Sequence, residues 1–496
     1  MRCTLGIDIG TFESKGVLVD GAGNIIASAS TPHKMLVPQP GWAEHRPNED
    51  WWGDFCMLSK KLIAESGIDP RDIAAVAASA IGPCMLPVDA ARQPLMNGVL
   101  YGVDTRAAKQ IAELTERIGE ATLLERCGNA LTSQSVGPKI LWLKQERPEL
   151  YAKTAKVLTS TTFIVERLTG EYVIDHYSAA NFSPLYLVDR LGWSDELADD
   201  ILPLDKLPRL LWTTDIAGYV TAEAAGATGL AVGTPVTCGT IDAGAEALSV
   251  GVTKPGDMLL MYGSTIFIIE VTDRRVPDAR LWYAPWFFPG QHASLAGLAT
   301  SGTLSHWFRE QFGRELDPAN AVVELAAEAA QSPPGANGLV MLPYFSGERT
   351  PIHDTEAKGV IFGLNLTHTR GDIYRALFEG IALGTRHVFE TYEETGVPPR
   401  VIYAAGGGTK NAVWSQATSD VSGRTQIVRE KTIGASYGDA FIAALAIGEV
   451  RLDDIHGWNP VAHQVRPDAG LRGLYDARYG VFRGVYEATK GLMREV

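Results

Sequence analysis

Thr4-Leu5-Gly6-Ile7-Asp8-Ile9-Gly10-Thr11 opens one half of the chain, and Met258-Leu259-Leu260-Met261-Tyr262-Gly263-Ser264-Thr265 opens the other. Each is a short apolar run closed by a turn of small and hydroxyl residues. Each is followed by a second strand-like run, residues 16–20 in the first case and 266–271 in the second. The first unit adds a further turn, Gly21-Ala22-Gly23-Asn24, and a third run over 25–30. A strand–turn–strand unit that recurs in shape, though hardly in sequence, predicts a chain built twice on one plan.

The segments around these units agree. Runs over 73–80, 98–101 and 235–238 read as strands buried on both faces. Between them lie amphipathic helices, such as 107–118 with Ile111, Leu114 and Ile118 on one face. Thr369 and Asp372 have the spacing of a capping box for a long helix, and 401–405 reads as a strand ending at Gly406-Gly407-Gly408. The expectation is two α/β domains, residues 1–247 and 248–496, around a central cleft. Clefts between domains are common ligand sites.

The 496 residues exceed what one core holds. A net charge of −14 with no basic cluster argues against nucleic acid or an anionic membrane as partner. Five scattered cysteines, with no Cys-x-x-Cys pair, read as reduced thiols rather than a disulfide framework or zinc site. No apolar run reaches membrane-spanning length, and Asp8 interrupts the opening residues where a signal peptide needs a continuous apolar core. A cytoplasmic protein is expected.

Neither a Gly-x-x-x-x-Gly-Lys-[Ser/Thr] loop nor a Gly-x-Gly-x-x-Gly fingerprint is present. Phosphate-binding features lie on hairpin turns instead. In Asp8-Ile9-Gly10-Thr11 a carboxylate at a strand end can hold Mg²⁺, Gly10 permits close approach of the backbone to phosphate, and Thr11 offers a hydroxyl. Gly263-Ser264-Thr265 repeats the small, hydroxyl-bearing turn. An ordinary polar turn accounts for either one alone; a phosphate gripped from both sides of a cleft accounts for the pair. In Gly239-Thr240-Ile241-Asp242-Ala243-Gly244-Ala245 an acid follows a buried strand among small residues, which suits a general base with room for substrate, or a helix N-cap. Gly406-Gly407-Gly408-Thr409-Lys410-Asn411 can lie flat against a planar or phosphorylated ligand, or serve as a loose connection. Asp104 and Arg106 suit hydrogen bonds to sugar hydroxyls, a surface ion pair or a helix cap.

Taken in order, these residues resemble the FGGY carbohydrate kinase family, and among its members the pattern is nearest to xylulokinases. Gly41-Trp42-Ala43-Glu44-His45, Pro138-Lys139-Ile140-Leu141-Trp142, the stretch Pro343-Tyr344-Phe345-Ser346-Gly347-Glu348-Arg349-Thr350-Pro351, and Gly406 to Asn411 followed by Trp414 carry the likeness. The resemblance covers nearly the whole chain and implies the duplicated actin–hexokinase–Hsp70 ATPase fold. It implies transfer of the ATP γ-phosphoryl group to a sugar hydroxyl, with ATP and Mg²⁺ as cofactors and a homodimer as a common assembly. On that reading Asp242 is the catalytic acceptor of the hydroxyl proton and Asp8 positions the metal. Gly10, Thr11, Gly263, Ser264 and Thr265 hold phosphates, and Gly302, Gly407, Gly408 and Asn411 line the nucleoside side. Gly82, Pro83, Asp104 and Arg106 border the sugar.

Two departures bear on the substrate. Ile81-Gly82-Pro83-Cys84 stands where xylulokinases carry a Met-His pair, and Ala243 stands where they usually have Asn. A ketopentose such as D-xylulose is the first expectation, with another ketose, a polyol or a sugar acid as alternatives. A chaperone-like ATPase would need a peptide-binding domain that the pattern lacks, and a non-catalytic sugar sensor would not need both Asp8 and Asp242.

Overall fold

A computed structural model describes residues 2–496. Two seven-stranded sheets carry the architecture. The first contains β1 (Cys3–Ile9), β2 (Glu13–Asp20), β3 (Ile25–Pro32), β4 (Ile73–Ala80), β5 (Ile216–Tyr219), β6 (Pro235–Thr237) and β7 (Thr240–Ile241). Its order is β5-β6-β4-β1-β2-β3, with β7 pairing on β4. The second contains β8 (Asp257–Tyr262), β9 (Ile266–Thr272), β10 (Trp282–Pro285), β11 (His292–Leu298), β12 (Val401–Ala405), β13 (Gln426–Arg429) and β14 (Val461–Val465). Its order is β10-β11-β9-β8-β12-β13-β14.

Superposing the two orders exposes the duplication. β3-β2-β1-β4-β6 corresponds to β11-β9-β8-β12-β13. In each, the first three strands form an antiparallel meander, and the next two run parallel to the opening strand, the fourth pairing with it and the fifth pairing with the fourth. Every residue of β1 is buried, which is why it reads as an apolar run interrupted only by Thr4 and by Asp8 near its end.

Six helices matter for the site. They are α1 (Val136–Glu146), α2 (Asp242–Ser249), α3 (Gly302–Phe312), α4 (Arg370–Glu394), α5 (Ala412–Ser422) and α6 (Ala435–Ala446). The capping box at α4 is formed: Thr369 and Asp372 exchange side-chain and backbone bonds. α6 follows β13 in the second half of the chain, yet it lies across β1 of the first sheet, where Thr4 Oγ1 donates to Ala440 O at 2.8 Å. A Cβ on Gly6 would stand 2.0 Å from Ser436 O, so glycine is required for that crossing. The two halves are therefore joined by a packed helix as well as by the chain itself. All five cysteines are free thiols. Among the described residues no helix is long and apolar enough to cross a membrane.

Candidate active site

The end of the first sheet delivers Asp242. After β6 the chain turns at Gly239 with φ +71°, where a Cβ would meet Ala78 O at 2.3 Å. β7 then pairs with β4, and buried Asp175 fixes it by accepting from Thr240 Oγ1 at 2.7 Å. Asp242 is the first residue of α2, whose N-cap is Ile241. Its Oδ1 accepts from the adjacent Ala243 N at 2.7 Å, so it does not cap the helix in the usual way, and the half-buried side chain lines a cavity in the cleft. The small neighbours serve two ends. Ala243 borders the cavity, whereas a Cβ on Gly244 would meet the Phe287 ring at 2.7 Å, and Ala245 O lies 2.0 Å from where Gly438 of α6 would carry one.

The two hydroxyl-bearing turns are held from behind. In the first, Gly10 N donates to Glu13 O at 3.1 Å, and His33 and His45 reach Gly10 O and Thr11 O through Nε2 at 3.0 Å each. In the second, Gly302 N and Ser301 Oγ donate to Gly263 O, and Thr303 donates to Ser264 O through both N and Oγ1. A Cβ on Gly302 would meet Gly263 O at 2.5 Å. Gly263, Ser264, Thr265 and Gly302 are thus one stitched unit, and Thr11 and Thr265 border the same cavity. Gly406, at the end of β12, packs against the Tyr262 backbone that leads into this turn. Gly408 packs on the Trp414 ring, and Gly407 has open space around it. Asn411 caps α5 by accepting from Trp414 N at 3.1 Å.

Four carboxyl groups converge behind the cavity with little compensation. Burial, then the charges of Asp242, Asp439 and Glu246, hold Asp8 well above the usual carboxylate range, with Lys15 opposing. Burial pushes Asp242 up to about 7, Glu246 adding to it and the Ala243 amide opposing. Burial likewise pushes Glu246 up to about 7. Asp439 is raised by burial although Ser79 donates to its Oδ2 through Oγ at 2.7 Å and N at 3.1 Å, and its Oδ1 is buried without a hydrogen-bond partner.

The cavity has a volume of about 350 Å³. One wall is polar and comes from the first half, with Asn129, Gln134, Asn181 and Asp242; the other is largely apolar and comes from the second, with Met261, Phe267, Trp282 and Leu295. A sugar presents hydroxyls on its edges and C–H groups on its faces, which suits such a pair of walls. Asn129 also ties the halves together: its Nδ2 donates to Tyr283 O at 2.8 Å, and its Oδ1 accepts from Tyr283 N at 2.7 Å.

The N-terminal domain of the FGGY family of carbohydrate kinases matches residues 3–249, and its C-terminal domain matches residues 258–447. This chain belongs to the FGGY family. It is a carbohydrate kinase, a class of enzyme that binds a sugar and ATP. The xylulose kinase of Bacillus subtilis is 28% identical over 99% of this chain and 98% of its own. A ribulokinase of Geobacillus thermodenitrificans is also 28% identical, over 90% of this chain and 86% of its own. The crystal structure of a xylulose kinase from Rhodospirillum rubrum superposes with a TM-score of 0.93 at 31% identity, covering 99% of this chain and 100% of that one.

Two of the family-like segments, Gly-Trp-x-Glu and Pro-Lys-Ile-Leu-Trp, lie one layer behind the cavity. Asp104 and Arg106 do not border the cavity: the Arg106 side chain is fully buried, paired with Asp104 and Glu44 at 2.8 Å each. Its guanidinium carbon lies 3.9 Å from the Trp42 ring centroid and 5.0 Å from that of Trp142. Asp104 Oδ2 also accepts from Ala43 N at 2.7 Å. The structure thus places this pair behind the cavity wall rather than on it, held by Glu44, Ala43 and the two tryptophans, with Arg106 Nη1 left without a hydrogen-bond partner. Lys139 on α1, buried and pushed down to about 8 by desolvation, donates to Leu100 O and Tyr101 O. The Gly-Trp-x-Glu and Pro-Lys-Ile-Leu-Trp segments together brace the loop that presents Tyr101 to the cavity. Arg106→Met leaves two carboxylates buried without their cation. It is expected to cost about 3–5 kcal/mol of stability, read as a lowered Tm, while the sugar KM of the protein that remains folded stays near wild type. A raised KM at unchanged Tm would restore Arg106 to the sugar site.

Gly82 and Pro83 do border the cavity, beside Ile241. Asp439, His33, His45, Tyr101 and Arg349 were not legible as site residues from the sequence. Asp439 left one signal, being the sole charged residue in the apolar helix α6.

Proposed function

We propose that this FGGY kinase phosphorylates a ketopentose such as D-xylulose at the expense of ATP. The observation that carries the reading is Asp242, which faces a sugar-sized cavity bordered by Thr11 from one phosphate turn and Thr265 from the other. Residues 1–247 supply the sugar side and 248–496 the nucleotide side. Gly10, Thr11, Gly263, Ser264 and Thr265 bind the β- and γ-phosphates. Gly302, Gly407, Gly408 and Asn411 border the nucleoside, Asn411 through the amide nitrogen that its capping role leaves free. Gly82, Pro83 and Asp242 border the sugar.

Asp8, a carboxylate at a strand end, is the residue that would hold Mg²⁺; Ser79 links it to Asp439, whose buried Oδ1 has no hydrogen-bond partner. Among the described residues no group of three or more His, Cys, Asp or Glu side chains is placed to hold a metal ion by itself. That suits an ion that keeps several waters and takes the rest of its ligands from phosphate. When bound, Mg²⁺ would neutralise phosphate charge and draw the cluster toward its ionised form.

Asp242 orients the attacking hydroxyl and takes its proton late, once the forming bond to phosphorus has acidified the oxygen. Closure of the halves excludes water, whose attack would waste ATP. The likeness to xylulose kinases over the full length supports the ketopentose, and the equal identity of the ribulokinase supports a second ketopentose as the alternative. The free thiols suit the cytoplasm.

A coupled ADP-release assay over D-xylulose, ribulose, polyols and aldonates tests the assignment. D-xylulose is expected to give the highest kcat/KM. A higher value for any other compound would transfer the assignment to it, and no stimulation by any sugar would sink the kinase reading.

A further inference from the structure

The cavity holds a cation that the protein itself leaves unpaired. Arg349, from the Pro343–Pro351 stretch, borders it half-buried. Among the described residues its guanidinium makes no hydrogen bond and no ion pair. A guanidinium at the border of a ligand cavity with no protein acceptor marks the place of an anion.

The backbone that carries this side chain is firmly fixed. Glu348, 4% exposed, accepts through Oε1 from Ala299 N at 2.6 Å and Arg349 N at 2.7 Å. Thr350 N donates to Gly297 O at 3.1 Å and His353 N to Arg349 O at 2.6 Å. The loop is thus anchored to β11, immediately ahead of the 301–303 segment that grips the second phosphate turn. The Glu348 carboxylate is spent on these two backbone donors and makes no ion pair with the Arg349 side chain.

Arg349 shares that cavity with Asp242, Thr11, Thr265 and Tyr101, whose hydroxyl lies 3.5 Å from Thr11 Oγ1.

We propose that Arg349 is a catalytic residue that binds the phosphoryl group in transit from ATP to the sugar. The inference rests on the kinase reading above. In the step, the sugar oxygen bonds to the γ-phosphorus and the bond from phosphorus to the β–γ bridging oxygen breaks. ADP leaves with that electron pair, and the hydroxyl proton passes to Asp242. Charge is spread over the three equatorial oxygens of the loose transition state, and a planar guanidinium can engage two of them at once. An arginine supplied in this way is worth about 10³–10⁵ in kcat in other phosphoryl-transfer enzymes.

The rival anion is a carboxylate on the substrate. It would be bound equally in ground and transition states and would show in KM. Full-length wild type, Arg349→Met and Arg349→Lys are compared for kcat and KM with D-xylulose and with an aldonate, and for Tm. The expected result is a fall in kcat of about 10³-fold in Arg349→Met, with sugar KM and Tm close to wild type and partial recovery in Arg349→Lys. Unchanged kcat overturns the proposal. So does a raised aldonate KM with kcat intact, which would make Arg349 a carboxylate binder. If Arg349→Met shows no cooperative unfolding transition, Arg349→Lys decides: a lowered kcat supports the proposal and a wild-type kcat overturns it. Wild type that no sugar stimulates sinks the kinase reading and the proposal together, whereas an active wild type with an unimpaired Met variant sinks only the role of Arg349.

Discussion

Asp242→Asn is expected to retain ATP binding and to lose about 10²–10⁴-fold of sugar-dependent ADP release, the range a positioned proton acceptor contributes. The substitution is nearly isosteric, and Asn can still accept from Ala243 N through Oδ1 as Asp242 does at 2.7 Å. What it removes is the proton acceptor and one negative charge from a cluster in which burial and Glu246 already push Asp242 up to about 7. Relief of that repulsion gives the prediction a second arm: Tm is expected to equal or exceed wild type. A loss of activity with a raised or unchanged Tm separates chemistry from damage to the fold. Turnover within tenfold of wild type would remove Asp242 from the reaction, and a lost thermal transition would contradict the electrostatic account of the cluster.

The two hydroxyl-bearing turns and the duplication were legible for one physical reason. Strands covered on both faces become largely apolar runs, and a tight turn at a strand end becomes a run of Gly, Ser and Thr, so both reach the sequence as local patterns. Asp242 was legible for the same reason, although its small neighbours proved to be mainly helix-packing residues against Phe287 and Gly438. The illegible part of the site is assembled from a distance. His33 and His45 brace the first turn from a separate hairpin and loop, and Asp439 arrives on a helix from the other half of the chain. Asp104 and Arg106 show the converse error. Two charges two residues apart look available to a ligand until Glu44, Trp42 and Trp142 are brought around them by segments the local pattern cannot reveal. Arg349 was visible only as part of a family-like stretch; its lack of a partner is a fact of three-dimensional placement.

The crossing of α6 over β1 ties that distant assembly to stability. Gly6→Ala is expected to lower Tm and activity together. A Cβ there would stand 2.0 Å from Ser436 O, 2.4 Å from Ala440 N and 2.9 Å from Asp439 Cβ. The first two obstacles are helix backbone, which cannot swing aside as a long side chain would, so β1 and α6 must separate. Overpacking of a core costs about 1–3 kcal/mol in general, and a rigid backbone obstacle places this site at the upper end. Any displacement acts on catalysis as well. Asp439 rides on the same turn of α6 and is hydrogen-bonded to Ser79 on β4, while Gly438 of that turn packs on α2 directly behind Asp242. A shift of α6 therefore moves the carboxylate cluster from two sides. Gly21→Ala is the matched control, since no atom lies within 4 Å of its added Cβ and its backbone needs no left-handed conformation. Thermal unfolding and sugar-dependent ADP release of the two variants decide the matter. Gly6→Ala that is as stable and as active as Gly21→Ala would show that the helix can lift off the strand without disturbing the site, and the crossing would lose its role in holding the two halves in register.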